Sequence, residues 1–515
     1  MARLRRTPTT PRAADAQGPA PLPALAPRSA SLLSRATWSG RGPVLLPLVL
    51  LLAARIVMWL SIPAPAEDAF ITFRFARNLA LGFGLVFNVD ERVMGFSSPL
   101  WTLWNALGYL VTHDLVLWSR AWSLAADAVT LVVGARLVER HASRLSAWCF
   151  AFFFAVWPYF AAVSVSGMET SLMVMLIVVT AARLERPHPA NGPLLAALFF
   201  TRPEGVAAAA ILALRAGLRD RLVALAIVAV GVAALTAYFG NPIPQSLIAK
   251  SHVYGIGGPW AGRFWWDWLS PVILGRWPTL GDMAPLMVLC VLFGPSFVVG
   301  LGTMWRARRT ALAAAAAACL VVWLGYAALG VSYFWWYLGV PLAGFALVAA
   351  CGLPQVVRGR AAPIAAALMI ASVWSIMLPL YIGRAQTEAF YFGNAADYLR
   401  SNCSPGQKVL LEPIGTIGYW APLTVVDEIG LISPRVAARR LRGPGWYTDT
   451  VQSERPDWLV LRASVLRTGD AYAGVGAPFR SASERDALLA GYREASRSGE
   501  ESDPQALIIL RRVAP

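Results

Sequence analysis

Apolar residues in this chain occur in long runs that are separated by short polar or basic connections. Many of these runs reach about 20 residues, the length at which an α-helix crosses the hydrocarbon core of a bilayer. The chain is 57% hydrophobic and 14% charged, whereas a soluble protein is typically about a quarter charged. The pattern therefore predicts a polytopic α-helical membrane protein with about ten spans. The predicted spans are residues 43–62, 116–137, 145–163, 171–183, 194–214, 222–239, 285–302, 311–330, 337–353 and 364–382.

The distribution of positive charge predicts the side of the membrane on which each connection lies. Seven arginines and one aspartate precede the first span, within residues 1–42, and short basic connections are cytoplasmic by the positive-inside rule. Residues 1–42 are also rich in Pro and Ala and lack a cleavage pattern, which predicts a disordered basic cytoplasmic tail and not a signal peptide. The loops at 63–112 and 240–283 and the C-terminal region then lie on the outer face.

Two apolar runs depart from a simple span. Residues 96–112 begin with Phe-Ser-Ser-Pro, are short and are rich in Trp and Tyr, so we expect an interfacial helix that continues the first outer loop. Residues 194–214 carry Thr-Arg-Pro-Glu-Gly in their middle, where Pro and Gly break a helix. We expect two half-height helices that meet at a polar break there; one kinked span is the alternative.

The composition changes after the predicted transmembrane region at 43–383. In residues 384–515, short β-like runs alternate with charged helical stretches such as 483–492, which predicts a small α/β domain outside the membrane. The predicted strands are residues 408–411, 423–426, 458–461 and 506–510.

Charge and cysteine content exclude several classes of function. The net charge of +16 does not indicate nucleic-acid binding, because much of the Arg lies in short connections between apolar runs. Some of this charge is available for anionic membrane lipids or for a phosphate-bearing substrate. The five cysteines show no paired spacing, so neither a disulfide framework nor a zinc site is predicted.

No Walker A, HExxH or GxSxG motif is present, which disfavours ATP-driven transport and zinc proteolysis.

The first outer loop, Pro63 to Pro99, concentrates charge beside the membrane and is a candidate catalytic loop. Glu67 and Asp68 form an adjacent carboxylate pair at the start of a helix-like segment. Arg74 and Arg77 share one face of that helix, where they could hold an anionic group. The alternatives are that Asp68 is an N-cap and that the arginines anchor lipid headgroups. Capping does not require a second acid, which favours a functional Asp68.

A second polar centre, GNPIPQSLIAKSHVYG, follows the sixth predicted span. Lys250 and His252 lie there, where a cation could neutralise a lipid-linked phosphate through charge-assisted hydrogen bonds. Snorkelling is the alternative for Lys250. Arg202, in the polar break, could serve the same purpose or pair with Glu204. The run Asp90-Glu91-Arg92 is better explained as a solvated turn that belongs to the scaffold.

Several segments resemble the GT-C glycosyltransferases, which use polyprenyl-phosphate sugars. EDAFITFRFARNLALGFGLVFNVDERVMGFSSPLW resembles the first outer loop of the branch that contains the terminal arabinofuranosyltransferase of the bacterial arabinan cell wall. TRPEG, GNPIPQSLIAK and GTIGYW…VVDEIGL resemble three further segments of the family, in order, up to residue 431. Glu67 stands where many relatives have Asp, and Met94 replaces a frequent Glu, which bears on the acceptor pocket.

The resemblance implies an inverting glycosyltransferase in a bacterial plasma membrane. It would move a sugar, arabinofuranose in this branch, from a polyprenyl-phosphate donor to an envelope glycan or lipid acceptor on the outer face. Asp68 would be the general base, and Glu67 would hold the acceptor or a cation. The family includes metal-dependent and metal-independent transfer, so a divalent cation stays open, and no other cofactor is expected. The residues that would bind the donor are Arg74, Arg77, Arg202, Lys250 and His252.

Two functions of other classes stay open. A flippase or transporter of lipid-linked sugars predicts ionisable residues deep within spans and repeated halves. A non-catalytic partner in envelope assembly predicts a degenerate site. The sequence shows no repeated halves, and its polar groups cluster in the outer loops, which favours the enzyme.

Overall fold

Helices make up most of the structure, a computed structural model that describes residues 42–255, 283–308, 310–329, 334–358, 361–463, 465, 477–500, 503 and 506–513. The helices are α1 (Gly42–Ser61), α2 (Glu67–Ala80), α3 (Pro99–Thr112), α4 (Leu115–His141), α5 (Arg144–Val156), α6 (Pro158–Val165), α7 (Thr170–Arg183), α8 (Asn191–Thr201), α9 (Gly205–Ala213), α10 (Leu218–Phe239), α11 (Gln245–Gly255), α12 (Met283–Arg306), α13 (Ala311–Leu329), a 3-10 turn (Trp335–Leu338), α14 (Gly339–Val356), α15 (Ala361–Asn402), α16 (Ile414–Trp420), α17 (Pro434–Arg440), α18 (Trp446–Glu454) and α19 (Ala482–Leu489). The strands are β1 (Lys408–Leu411), β2 (Thr424–Asp427), β3 (Trp458–Arg462), β4 (Tyr492–Ser498) and β5 (Leu507–Arg512). The predicted N-terminal tail, apart from its last residue, and most of the predicted second outer loop lie outside the described residues.

Five helices in the described part of the chain are long and apolar enough to cross a membrane, or six if the bent pair α5–α6 counts as one span. The five are α1, α4, α10, α13, and α14 together with the 3-10 turn before it. Two of the predicted spans, 171–183 and 194–214, form helices that are too short to cross alone. Helix α7 has 14 residues and α8 has 11. The helical membrane class therefore holds, and the predicted span count does not follow from helix length.

The bend between α5 and α6 explains a buried ion pair that the sequence analysis did not single out. The two helices are bent by 49° at Pro158, and proline cannot donate the hydrogen bond that the Phe154 carbonyl would otherwise accept. The Arg55 guanidinium donates to this carbonyl at 3.1 Å and also to that of Ala155. It pairs with Asp127 at 2.9 Å. These charges lie within spans, and they stabilise a broken helix.

The polar break expected within residues 194–214 is present. Helix α8 ends at Thr201 and α9 begins at Gly205, so the chain does not form one kinked span here. A Cβ atom at Gly205 would overlap the backbone carbonyl of Leu198, which means that glycine permits the close approach of α9 to α8.

Helix α3 corresponds to the helix expected at 96–112. His113, with a left-handed backbone (φ 57°), separates it from α4. Its 14 residues are too few to cross a bilayer alone. That α3 lies in the membrane interface remains a prediction.

The C-terminal strands form a five-stranded sheet in the order β2-β1-β3-β5-β4. Strand β1 is parallel to β2 and β3, whereas β5 is antiparallel to β3 and β4. The four predicted strands match β1, β2, β3 and β5 to within about two residues, the usual uncertainty of element ends. The helix predicted at 483–492 corresponds to the shorter α19, and β4 was not predicted.

One face of this sheet shares a buried core with the first outer loop. Trp458 of β3 belongs to the same cluster as Phe75, Phe87 and Phe96 of the loop. Helix α15, 42 residues long, enters this cluster through Phe392, so the predicted boundary between residues 383 and 384 falls inside a helix. The sheet thereby fixes the position of the loop that carries Glu67 and Asp68.

Candidate active site

Asp68 lies in the first turn of α2 and faces a lysine from a distant segment. The N-cap of α2 is Ala66 and no side chain caps the helix, so capping does not account for Asp68. Its carboxylate, 19% exposed, accepts a hydrogen bond from Lys250 Nζ at 2.9 Å. Two residues that the sequence analysis singled out separately are thus brought together across 182 positions.

Contacts at the start of α11 position Lys250. The backbone N–H of Gln245 donates to the carbonyl of Met94 at 2.8 Å, and its side-chain amide donates to the carbonyl of Gly430 at 3.0 Å. The Lys250 ammonium also lies 4.3 Å from the centroid of the Phe334 ring, within the range of a cation–π interaction. The Lys250 side chain is therefore directed at Asp68. Snorkelling would require only that its ammonium reach water.

Arg202 lies in the break between α8 and α9, buried between two carboxylates. Its Nη1 donates to Glu169 Oε1 at 2.6 Å, and its Nε donates to Glu204. Glu204 also accepts a hydrogen bond from the Tyr326 hydroxyl. The pairing with Glu204 was an alternative considered from the sequence. Glu169 was missed, because one acid in a Gly-Met-Glu-Thr turn between two apolar runs is a weak signal.

The two ion-paired groups line one cavity of about 330 Å³, a volume at the lower end of the range for ligand pockets. Its charged residues are Asp68, Glu169, Arg202, Glu204 and Lys250. Much of the remaining lining is apolar and includes Val206, Ala207, Leu247, Val321, Val322 and Leu329. A cavity with both kinds of wall suits an amphiphilic ligand, because each part of such a ligand finds a matching environment.

Glu67 is not among the described residues that line this cavity with Asp68. Its Oε1 accepts a hydrogen bond from the backbone N–H of Gly415. Burial, with the charges of Asp68 and Glu412, raises the pKa of Glu67 well above its ordinary value, and the Gly415 hydrogen bond opposes this shift. Glu67 lines a second cavity, on the side of α15 and α16.

The two arginines of α2 donate to backbone carbonyls of the first loop and of the C-terminal region. Arg74 is buried and Arg77 is half-buried. The acceptors, at 2.5–2.8 Å, are the carbonyl oxygens of Phe87, Gly418 and Leu423 for Arg74, and that of Tyr419 for Arg77. His252 follows Lys250 by two positions on α11 and therefore points to a different side of the helix. The structure brings none of Arg74, Arg77 and His252 into the described lining of the first cavity.

The segment around Asp90-Glu91-Arg92 contacts the sheet. The side-chain amide of Asn88 accepts from the Val425 N–H at 3.0 Å and donates to the Val425 carbonyl at 2.8 Å. Val425 lies on β2, the first strand in the sheet order, so Asn88 pairs with an edge that would otherwise be open. Glu91 accepts a further hydrogen bond from Asn88 at 2.9 Å, which fits the scaffold role expected for this run.

The described residues contain no group of three or more His, Cys, Asp or Glu that could hold a metal ion. The cationic partner of Asp68 is the Lys250 ammonium.

Comparison with solved structures shows a shared fold at low sequence identity. ArnT from Cupriavidus metallidurans, in a crystal structure bound to undecaprenyl phosphate, aligns over 91% of this chain and 98% of its own, with 11% identity and a TM-score of 0.58. The same protein in the apo state aligns over 90% of this chain and 98% of its own, also with 11% identity, and a TM-score of 0.53. The chain therefore shares its fold with ArnT, a GT-C glycosyltransferase.

Two further comparisons add no argument on function. The arabinofuranosyltransferase AftD from mycobacteria aligns over 91% of this chain and 41% of its own, with 16% identity and a TM-score of 0.42. A family described as a domain of unknown function, DUF8728, matches residues 380–505. No curated protein sequence matches the chain.

Proposed function

We propose that this protein is an integral-membrane glycosyltransferase that moves a sugar from a polyprenyl-phosphate donor to an envelope glycan or lipid. Asp68 acts as the general base, and the product is inverted at the anomeric carbon. Arabinofuranose is the sugar that the first-loop motif suggests. The N-terminus is cytoplasmic, and the first outer loop and the sheet region face the outside of a bacterial plasma membrane.

The observation that carries the proposal is the Asp68–Lys250 pair on the wall of a cavity that also has an extended apolar lining. A polyprenyl-phosphate sugar has an anionic phosphate between a polar ring and a long apolar chain. The ammonium of Lys250 suits the phosphate, and the residues from α9 and α13 suit the isoprenoid. The fold neighbour ArnT supports this match, since its crystal structure holds undecaprenyl phosphate.

In the proposed reaction, Asp68 takes the proton from the acceptor hydroxyl as its oxygen attacks the anomeric carbon. The bond between that carbon and the phosphate oxygen breaks, and its electron pair stays on the phosphate, which leaves as polyprenyl phosphate. Attack occurs opposite the leaving group, so the configuration inverts. A positioned base of this kind contributes about 10²–10⁴-fold to the rate.

In this scheme the Lys250 ammonium exchanges one hydrogen-bond acceptor, Asp68, for another, the donor phosphate. In the structure its ammonium donates to Asp68, and a donor phosphate would compete for the same ammonium. Transfer of Lys250 to the phosphate leaves the Asp68 carboxylate available to the acceptor and places positive charge where negative charge develops. Arg202 is already matched by Glu169 and Glu204, so we assign it to holding the polar break and not to the principal phosphate contact.

A flippase for the same lipid-linked sugar is the second candidate. The observation that favours it is the broken pair α8–α9, with ionisable residues buried at the break, because discontinuous helices often form transporter sites. Reconstitution in liposomes with a fluorescent polyprenyl-phosphate sugar separates the two. A flippase moves the lipid between leaflets without acceptor, whereas the enzyme consumes it only when acceptor is present.

The proposal is tested by mass spectrometry of the lipids that co-purify with the full-length protein. We expect polyprenyl phosphate or its glycosylated form with the wild type, and less of it with Val322→Trp, which fills the apolar part of the cavity. Val129→Trp, at an exposed position of α4, is the control and should retain the lipid. If the wild type, purified from membranes that contain these lipids and supplied with them, binds none, the protein is not a polyprenyl-phosphate-dependent transferase.

A further inference from the structure

The two adjacent carboxylates of α2 line different cavities. Successive residues of a helix point about 100° apart, so Asp68 faces Lys250 while Glu67 faces the space between α2, α15 and α16. This second cavity has a volume of about 290 Å³. The Cα atoms of consecutive residues are about 3.8 Å apart, so a group bound beside Glu67 is close to Asp68.

The second cavity has an exposed aromatic wall. Trp420, the last residue of α16, is 45% exposed although it is a large apolar side chain. Its ring is braced by Tyr419, with centroids 4.9 Å apart, and by Phe70, with centroids 6.4 Å apart. These contacts restrict the Trp420 side chain before a ligand binds, so binding costs little further side-chain entropy and the ring can serve as a rigid stacking surface.

The polar lining favours hydroxyl groups over anions. Glu67, Glu388 and Asp397 contribute three carboxyl groups, whereas Arg400 contributes one guanidinium. An anionic headgroup would meet net negative charge here. Carboxylates accept hydrogen bonds from hydroxyls, and the Thr416 hydroxyl can donate or accept. The lining also contains fewer apolar residues than that of the first cavity, with Phe70, Phe392 and Trp420 as its large apolar side chains, so it suits a long lipid chain less well.

We propose that the second cavity binds a neutral carbohydrate chain, the acceptor, by stacking a sugar ring on Trp420 and by hydrogen bonds to Glu67 and Thr416. The role of the bound carbohydrate as the acceptor rests on the proposed function, whereas the binding of carbohydrate in this cavity does not. Donor and acceptor then approach Asp68 from two cavities, and the helix start at Glu67–Asp68 lies between them. Burial raises the pKa of Glu67, and a side-chain hydrogen bond joins its carboxyl to that of Asp68, so a sugar hydroxyl held at Glu67 lies beside the proposed base.

Carbohydrate binding to the full-length protein in nanodiscs of neutral phospholipid tests the proposal. The probes are tetrasaccharides of arabinan, galactan and mannan and the phosphorylated form of each, measured by saturation-transfer NMR. We expect at least one neutral probe to bind, Trp420→Ala to weaken it about tenfold, and Thr416→Val about threefold. Phe83→Ala removes a comparably exposed aromatic ring of the first loop and should leave binding unchanged.

Transfer kinetics separate this inference from the proposed function. In the transfer assay Trp420→Ala should raise the KM for acceptor while the KM for donor stays at the wild-type value. Wild-type affinity and wild-type acceptor KM in both Trp420→Ala and Thr416→Val would overturn the inference, as would binding of phosphorylated probes alone or an equal loss in Phe83→Ala. If no polyprenyl-phosphate donor is used but neutral probes bind in a Trp420-dependent manner, the proposed function fails and the carbohydrate site stands.

Discussion

Replacing Arg74 by methionine separates its structural contacts from the phosphate binding expected from the sequence. Arg74 is 7% exposed and donates to three backbone carbonyls and, at 3.4 Å, to the Asn88 side chain. Burial, together with the nearby Arg77, lowers its pKa to about 9, so the guanidinium is still charged at pH 7. Methionine keeps an apolar stem and removes every donor.

The expected loss of stability follows from these contacts. A hydrogen bond to a charged group contributes about 1.5–3 kcal/mol, and a buried carbonyl left without a partner costs about 1–3 kcal/mol. The carbonyls of Gly418 and Leu423 lose this partner, whereas that of Phe87 still accepts from the Asn78 side chain at 2.9 Å. Relaxation recovers part of the sum, so we expect Arg74→Met to lower the free energy of unfolding by about 3–5 kcal/mol. At about 2–4 °C per kcal/mol, Tm falls by roughly 6–20 °C.

Thermal unfolding of the purified full-length protein, followed by tryptophan fluorescence, measures this effect. Arg92→Met is the control, because Arg92 is an exposed arginine of the same loop whose guanidinium contacts only the Tyr238 ring among the contacts described for it. Its stability should change by less than about 0.5 kcal/mol. If Arg74→Met unfolds at the wild-type Tm and instead raises the KM for donor, Arg74 is a substrate ligand and the structural reasoning is refuted.

Three further predictions follow from the site and its supports. Lys250→Met should lower transfer at subsaturating donor about 10–100-fold, because a charge-assisted hydrogen bond of about 1.5–3 kcal/mol is lost; an unchanged rate would remove Lys250 from the donor site. Gly205→Ala should lower Tm because its Cβ would overlap the Leu198 carbonyl, whereas Gly217→Ala, with open space around it, should not; equal Tm values would contradict the close approach. Burial raises the pKa of Glu428 to about 8, so the folded state holds a proton that the unfolded state releases, and Tm should fall as pH rises from about 5 to 8. Glu428→Gln should make Tm less dependent on pH over this range. A wild-type Tm that rises with pH, together with a variant Tm that does not, would contradict the raised pKa.

Local sequence signals predicted the strands and the helix break well. Strands β1 and β3 are short apolar runs beside turns, and the Pro and Gly of the 201–205 segment act on their own backbone. Strand β4 was missed because YREASRS is polar and pairs on one side only, at the end of the sheet order. A strand of this kind carries no apolar alternation that a sequence could reveal.

Long-range packing decided what the sequence could not. The helical spacing of Arg74 and Arg77 correctly places them on one face. Three of their backbone acceptors lie more than 300 positions away, and only the fold shows that this face is covered. The function of Glu169 likewise depends on Arg202, 33 positions later. Asp68 and Lys250 were each singled out from local context, and their pairing needed the structure.

Sugar transfer by Asp68→Asn tests the central claim most directly. Full-length protein in membranes is supplied with a radiolabelled polyprenyl-phosphate sugar and acceptor, and donor binding is measured in the same preparation. We expect Asp68→Asn to retain donor and to lose at least about 100-fold in transfer rate, the lower bound for a general base. Asp90→Asn, which removes a carboxylate from an exposed turn of the same loop, should transfer at the wild-type rate. Full transfer by Asp68→Asn at normal expression would contradict the assignment of Asp68 as the base.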